Sequence, residues 1–245
     1  MGASRAEGSI GREVLRNLVE GGFAGKVFPV NPKADVVHSI KCFPSVTAIP
    51  DPVDLAVIVV PKDVVPRAVE QCARKGVGAA VVITAGFRET GAEGAEREAR
   101  IVATARRHGM RIVGPNCMGI QNAEEAVRLN ASFSRSFPRP GPAAFVSQSG
   151  AMGEAILAHA DRLNLGVKMF VSMGNRADVS ANDLLEYWGR EKDLKCLLLY
   201  LESFGNPRNF VPIARRVSRS KAIVTVKAGR SEAGALAASS HTGAL

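Results

Sequence analysis

The strongest constraint on this chain is a regular alternation of two kinds of segment. Short runs rich in valine, isoleucine and leucine recur as KVFPV (26–30), DLAVIVV (54–60), AAVVIT (79–84), RIV (111–113), AAFVS (143–147), VKMFVSM (167–173), KCLLLYLE (195–202) and KAIVTVK (221–227). They are apolar on both faces, as strands covered by a layer on each side must be. Segments with helical spacing separate them, the clearest at 11–21, 63–75, 93–108, 150–163, 181–190 and 207–219. This order predicts right-handed βαβ units and an α/β fold with parallel sheets.

The stretch SRSFPRPGP (134–142) interrupts the pattern with three prolines and a glycine. Proline removes a backbone donor and fixes φ, so a boundary is expected there. It divides the chain into a first domain over 1–141 and a second over 142–245, a division that suits 245 residues. The chain opens on a glycine-rich turn with no strand before it and stops soon after His241. The expectation is therefore of a chain lacking its first strand and whatever follows Leu245.

Composition narrows the partners. The net charge is +9, which favours a polyanion. Aromatic residues are only 5% and no run of five basic residues occurs, which argues against nucleic acid and leaves a phosphate-rich small molecule. Glu7, Arg12, Glu13 and Arg16 break up any leader-like core, and no apolar run is long enough to span a bilayer. A cytoplasmic protein without membrane contact is expected. Cys42, Cys72, Cys117 and Cys196 are widely separated, as are the four histidines, so neither a disulfide framework nor a metal site is expected.

Three local patterns bear on chemistry. The opening G-A-S-R-A-E-G-S-I-G places Gly2, Gly8 and Gly11 ahead of a helix, where the backbone can approach an anion closely. It is not G-x-G-x-x-G. The next strand ends Val30-Asn31-Pro32-Lys33, and a lysine there suits a phosphate better than a ribose diol. NADP and the 3′-phosphate of coenzyme A both satisfy that reading, as does a solvated surface lysine. Gly114-Pro115-Asn116-Cys117 forms a turn that brings a thiol to a sheet edge, although a free cysteine is more often a small buried apolar group. In the second half, Phe145-Val146-Ser147-Gln148-Ser149-Gly150 runs from a strand into a helix. It forms a cradle for a single phosphate, or an ordinary serine N-cap. Glu202 ends a later strand, where a carboxylate can orient an imidazole. His241 lies in a tail of small residues, and a neutral imidazole there can accept a phosphoryl group.

The motifs GASRAEGSIGREVLRNL, VFPVNPK, ITAGFRE, GPNCMGIQN, FVSQSGAMGEAIL and SHTGAL occur together and in order over nearly the whole chain. In this it resembles the NDP-forming acyl-CoA synthetase family, which includes ADP-forming acetate–CoA ligase and is related to the succinyl-CoA synthetase α subunit. The resemblance implies a Rossmann-like CoA-binding domain followed by a flavodoxin-like parallel-sheet ligase domain. It implies that Ser4, Arg5, Ala6, Glu7 and Gly8 line the CoA turn, that Lys33 meets a CoA phosphate, and that Ile83, Thr84 and Ala85 border the cofactor. Asn116 and Cys117 would sit near the CoA thiol. Ser149 and Gly150 would bind phosphate, His241 would be the phosphohistidine and Glu202 its orienting carboxylate.

The implied reaction makes acyl-CoA from a carboxylic acid, CoA and ATP through an acyl phosphate. ATP or ADP and Mg2+ would reside on an ATP-grasp domain or subunit, within an oligomer. The alternatives are a CoA-binding regulatory or acetyltransferase-associated module, and an inactive fragment. An NAD(P)-dependent oxidoreductase would need a nucleotide fingerprint and a hydride-site acid, and the sequence offers neither.

Overall fold

The apolar runs become strands because only a parallel ladder between helices satisfies their backbone groups away from water. The computed structural model describes residues 1–204 and 206–229. In chain order the elements are α1 (Ile10–Glu20), the hairpin β1 (Val36–Val37) and β2 (Ile40–Lys41), β3 (Leu55–Ile58), α2 (Val65–Lys75), β4 (Ala79–Val82), α3 (Ala92–Arg107) and β5 (Arg111–Val113). A second hairpin follows, β6 (Gly119–Asn122) and β7 (Leu129–Ser132). The chain then runs through β8 (Ala143–Ser147), α4 (Gly150–Arg162), β9 (Val167–Ser172), α5 (Ala181–Arg190), β10 (Cys196–Leu201), α6 (Pro207–Val217) and β11 (Ala222–Lys227).

Local chemistry sets the helix ends. Pro66 in the first turn of α2 lacks only an N–H that would have no acceptor there. Gly76 ends α2 in the left-handed region at φ 82°, with Gly76 N–H donating to Ala73 and Val77 N–H to Cys72. Ser149 caps α4 by accepting from Met152 N–H, and Ser180 with Asp183 forms a capping box on α5.

The first sheet is parallel with order β3-β4-β5. The second has six strands in the order β11-β10-β8-β9-β6-β7. Its four strands from β8 onward are parallel. The chain moves from β8 to β9 on one side, then crosses back to β10 and outward to β11. This reversal creates a switch point between β8 and β10, where a crevice opens at the strand C-termini. β9 is buried at all six positions.

Two departures from the sequence reading have physical causes. Among the described residues KVFPV (26–30) makes only an isolated bridge, Val30 with Phe43. Residues 1–3 lie beside it: the Gly2 and Ala3 N–H groups donate to the Val30 carbonyl at 3.0 and 3.3 Å, while Met1 donates to the Val57 carbonyl of β3 and accepts from Val59 N–H just beyond that strand. Beyond this contact a mostly apolar cavity of about 320 Å³ separates 26–30 from β3. Gly2 is required where it stands, since a β-carbon would strike the Val59 carbonyl.

The second departure is the hairpin of β6 and β7, which the sequence reading left without structure. It joins the second sheet through antiparallel pairing of β6 with β9. Its interior is polar. Buried Gln121 donates to Asn130, Ser132 and the Ser136 carbonyl, and Ser134 and Ser136 donate to Glu154 of α4. Asn17 of α1 donates to the Ser132 and Ser134 carbonyls, each at 2.8 Å.

The two sheets are laced together by backbone. Asn175, Ala177 and Val179 N–H groups donate to the carbonyls of Pro115, Gly114 and Ile112 at 2.9–3.0 Å. Between them Asp178, 2% exposed, pairs with Arg106 and Arg111 at 3.0 and 2.8 Å and accepts from Ile112 N–H. Burial works against its charge, but Arg111, the Ile112 N–H and Arg106 together hold its carboxyl below the usual aspartate value.

Asp178→Ala should lower the unfolding free energy at pH 7 by about 1–3 kcal/mol. The folded carboxyl titrates below its unfolded value, so its contribution is complete above about pH 4 and fades as pH falls through the folded value. Urea midpoints of the two proteins should therefore converge on acidification. Gly174 adopts φ +50°, and a β-carbon there would meet the Asn116 and Pro115 carbonyls. Gly174→Ala should destabilise the chain by roughly 1–3 kcal/mol in the same assay.

Candidate functional site

The loops after β3, β4 and β5 and the start of α4 enclose a cleft of about 640 Å³. From the first half come Ile10, Val59, Val60, Ile83, Thr84, Ala85, Glu89, Asn116, Cys117, Met118 and Phe133. From the second come Gln148, Gly150 and Ala151. The cleft thus joins the C-terminal edge of the first sheet to the switch point of the second.

Its first wall is held rigidly. Thr84 Oγ1 donates to the Val60 carbonyl at 2.7 Å, and Asn116 N–H donates to the Thr84 carbonyl at 3.0 Å. Asn116 adopts φ 56°, one of the few left-handed conformations that an Asx side chain tolerates. Its amide Nδ2 donates to Asn175 Oδ1 at 3.3 Å. Cys117 is 6% exposed and its thiol donates to the Val82 carbonyl at 3.4 Å. Burial pushes that thiol up to about 12, so at neutral pH it is a protonated packing group, the more ordinary of the two roles the sequence allowed.

Carboxylates and cations bind the two halves behind this wall. Glu89 Oε1 accepts from the Gly86 and Phe87 N–H groups at 2.6 and 3.1 Å, and its Oε2 accepts from Asn175 Nδ2 at 2.6 Å. Burial opposes its charge, but Asn175 and the two backbone donors hold it below the usual glutamate value. Glu98, 2% exposed, pairs with Arg88 and also accepts from Asn175 at 2.9 Å.

The second wall is the switch point. Ser149 Oγ takes the Met152 N–H, while the N–H groups of Gly150 and Ala151 stand at the helix start without intrahelical acceptors. Gln148 is 2% exposed. Its Oε1 accepts from Glu202 and Ser203 N–H at 2.7 and 3.0 Å. Arg176 donates to the Ser203 carbonyl at 2.6 Å. Burial lowers its affinity for a proton, Arg88 adds to the effect, and the nearby charge of Glu202 opposes it.

The structure therefore brings Ile83, Thr84, Ala85, Asn116, Cys117 and Gly150 into one cleft, with Ser149 capping the helix at its edge. Glu202 reaches that edge through Gln148. The turn Ser4–Gly8 lies outside the lining and leads into α1, whose first residue, Ile10, lines it. Arg5 donates to the Val36 carbonyl at 2.8 Å, which ties the turn to the segment carrying Lys33, an exposed residue. His241 lies outside the described residues.

Sequence reasoning missed Gln148, Glu89, Glu98 and Asn175. Gln148 and Glu89 were inside quoted motifs, and a glutamine between two serines at a strand end was the available signal. Among the described residues no group of three His, Cys, Asp or Glu side chains is arranged to hold a metal ion.

Comparison with known proteins agrees with this arrangement. A family model described as a CoA binding domain matches residues 1–123, and one described as a succinyl-CoA ligase like flavodoxin domain matches residues 140–245. The chain is 46% identical over its whole length to an acetate–CoA ligase (ADP-forming) of Methanocaldococcus jannaschii, covering 34% of that protein. It is 43% identical to the α subunit of acetate–CoA ligase (ADP-forming) I of Pyrococcus furiosus, covering 54% of it. The chain thus spans about a third to a half of the length of the curated relatives it matches. The solved acetyl-coenzyme A synthetase 1 of Ca. Korarchaeum cryptofilum, in complex with phosphate and ADP, superposes with a TM-score of 0.93 at 45% identity, over 100% of this chain and 52% of that one. Fold, site motifs and these likenesses agree: the chain belongs to the NDP-forming acyl-CoA synthetase family, as a CoA-binding domain followed by a succinyl-CoA ligase-like flavodoxin domain.

Proposed function

We propose that this chain is the CoA-binding and phosphoryl-relay part of an ADP-forming acid–CoA ligase. The observation that carries the reading is the shared cleft, in which the loop residues Thr84, Ala85 and Asn116 face the start of α4. The overall reaction would be acid + CoA + ATP ⇌ acyl-CoA + ADP + phosphate.

The residues present fit CoA. Val59, Val60, Ile83 and Met118 give the cleft an apolar flank, which suits a thin, largely apolar pantetheine arm. The turn Ser4–Gly8, with Gly8 at φ 72°, exposes backbone to a pyrophosphate. Lys33 supplies a cation for the 3′-phosphate. CoA brings the thiol that accepts the acyl group.

The chain's own side chains would act as follows. The N–H groups of Gly150 and Ala151, with the partial positive charge of α4, hold an anionic phosphate oxygen. Glu202 accepts an N–H from the His241 imidazole and directs the other nitrogen at phosphorus. Asn116 and Thr84 keep the loop rigid so that the reacting groups meet in one geometry. Cys117 serves as a packing group, buried and donating its thiol to the Val82 carbonyl. ATP, ADP and Mg2+ belong on an ATP-grasp domain or subunit, where the metal would offset phosphate charge. The substrates CoA and ATP fit a cytoplasmic enzyme.

Two experiments test this. Calorimetry should detect CoA binding by the chain, and Lys33→Ala should weaken it roughly threefold to fivefold, the scale of an exposed ion pair. The same substitution should leave dephospho-CoA binding unchanged. Tight binding of NADH with none of CoA would overturn the reading. Secondly, acetyl-CoA and labelled phosphate, supplied with a cognate ATP-grasp partner, should leave base-stable, acid-labile label on the protein. Equal labelling of His241→Ala would show that the relay residue is wrong.

A further inference from the structure

We propose that Gln148 binds an anionic oxygen of the substrate's acyl group, as carboxylate or acyl phosphate, through its Nε2. The proposal rests on the acid–CoA ligase reading above and adds to it a residue that selects for a charged acyl oxygen at the switch point.

The argument begins with the orientation of the amide. Gln148 Oε1 receives two backbone N–H groups, from Glu202 at 2.7 Å and Ser203 at 3.0 Å. Only an oxygen can accept both, so the amide cannot be flipped. Nε2 must then point away from the end of β10. It is buried and has no hydrogen-bond partner among the described residues. An amide NH2 carries two donors, and a buried donor without an acceptor is rare in native proteins.

The position of the residue gives the chemistry of the missing acceptor. Gln148 follows β8 directly and reaches across to β10, so it spans the switch point, where doubly wound sheets bind ligands. It lines the cleft beside Gly150 and Ala151, whose helix-start N–H groups also lack intrahelical acceptors. Gln148 Nε2 and the Gly150 and Ala151 N–H groups are thus neighbouring donors without an acceptor among the described residues. Glu89, the one carboxylate among the described residues that line the cleft, already has both oxygens occupied, by Gly86 and Phe87 N–H and by Asn175. A group of donors at a helix start selects an anion with more than one oxygen. Gly150 and Ala151 suit the phosphate, and Gln148 suits the oxygen next to it on the acyl carbon.

A purely structural role would make Gln148 a clamp on the end of β10, and the two roles separate in one substitution. Gln148→Glu keeps an oxygen to accept the Glu202 and Ser203 N–H groups, but replaces the Nε2 donor with a negative oxygen. The 245-residue chain and this variant would be titrated with acetyl phosphate and, separately, with CoA. The expected result, read at about pH 9 so that the buried carboxyl is ionised, is acetyl phosphate affinity weakened about tenfold or more, the scale of one hydrogen bond to a charged group, with CoA affinity weakened much less. Unchanged acetyl phosphate affinity in the variant, or wild-type protein that binds CoA but not acetyl phosphate, overturns the proposal alone. Wild-type protein that binds no CoA overturns the reading beneath it. A second measurement needs no variant: the Gln148 side-chain NH2 resonance of the wild type should shift on adding acetyl phosphate and not on adding CoA. Absence of that shift also overturns the proposal.

Discussion

The rest of the site depends on a short stretch of backbone lacing. Residues 175–179 run beside residues 112–115, and three N–H groups cross from the second half to carbonyls of the first. Backbone groups buried between two layers must be paired, and here each half satisfies the other. Asp178 sits inside the lacing and holds two arginines of the first half to it. The loop of Asn116 is thereby fixed against the end of β9 rather than left to swing. This junction, with the Asn175 bonds to Glu89 and Glu98, gives the cleft between the two sheets a defined width.

Most of the fold was legible in the sequence because its signals are local. β3, β4, β5 and the four parallel strands of the second sheet all fall on apolar runs, and α5 falls on its predicted bounds, Ala181–Arg190. What escaped was structure held by long-range polar contacts. Gly119–Asn122 and Leu129–Ser132 contain few branched apolar residues. They become strands because Gln121, Asn130 and Ser132 satisfy one another inside the sheet. No window of sequence shows that. The run at 26–30 failed in the opposite way: its composition is that of a strand, but among the described residues its ladder contact is the isolated bridge of Val30 with Phe43.

The site was legible in its motifs and less so in its connections. Thr84, Asn116 and Gly150 stand at strand ends or a helix start, which periodicity locates. Asn175, Glu89 and Glu98 act together across 86 and 77 residues of chain, and only folding brings them side by side. Charged groups of this kind are tolerated in the interior because every oxygen has a donor. Their arrangement holds the loop after β4 and the turn after β9 in a single relation.

The cavity beside β3 has a consequence for the physical behaviour of the chain. It is lined mainly by side chains such as Val14, Leu15, Leu18, Phe28, Val46 and Ile49 and stands partly open to solvent. Such a lining offers an entering water few polar partners. A small apolar guest such as xenon loses no hydrogen bond by entering it.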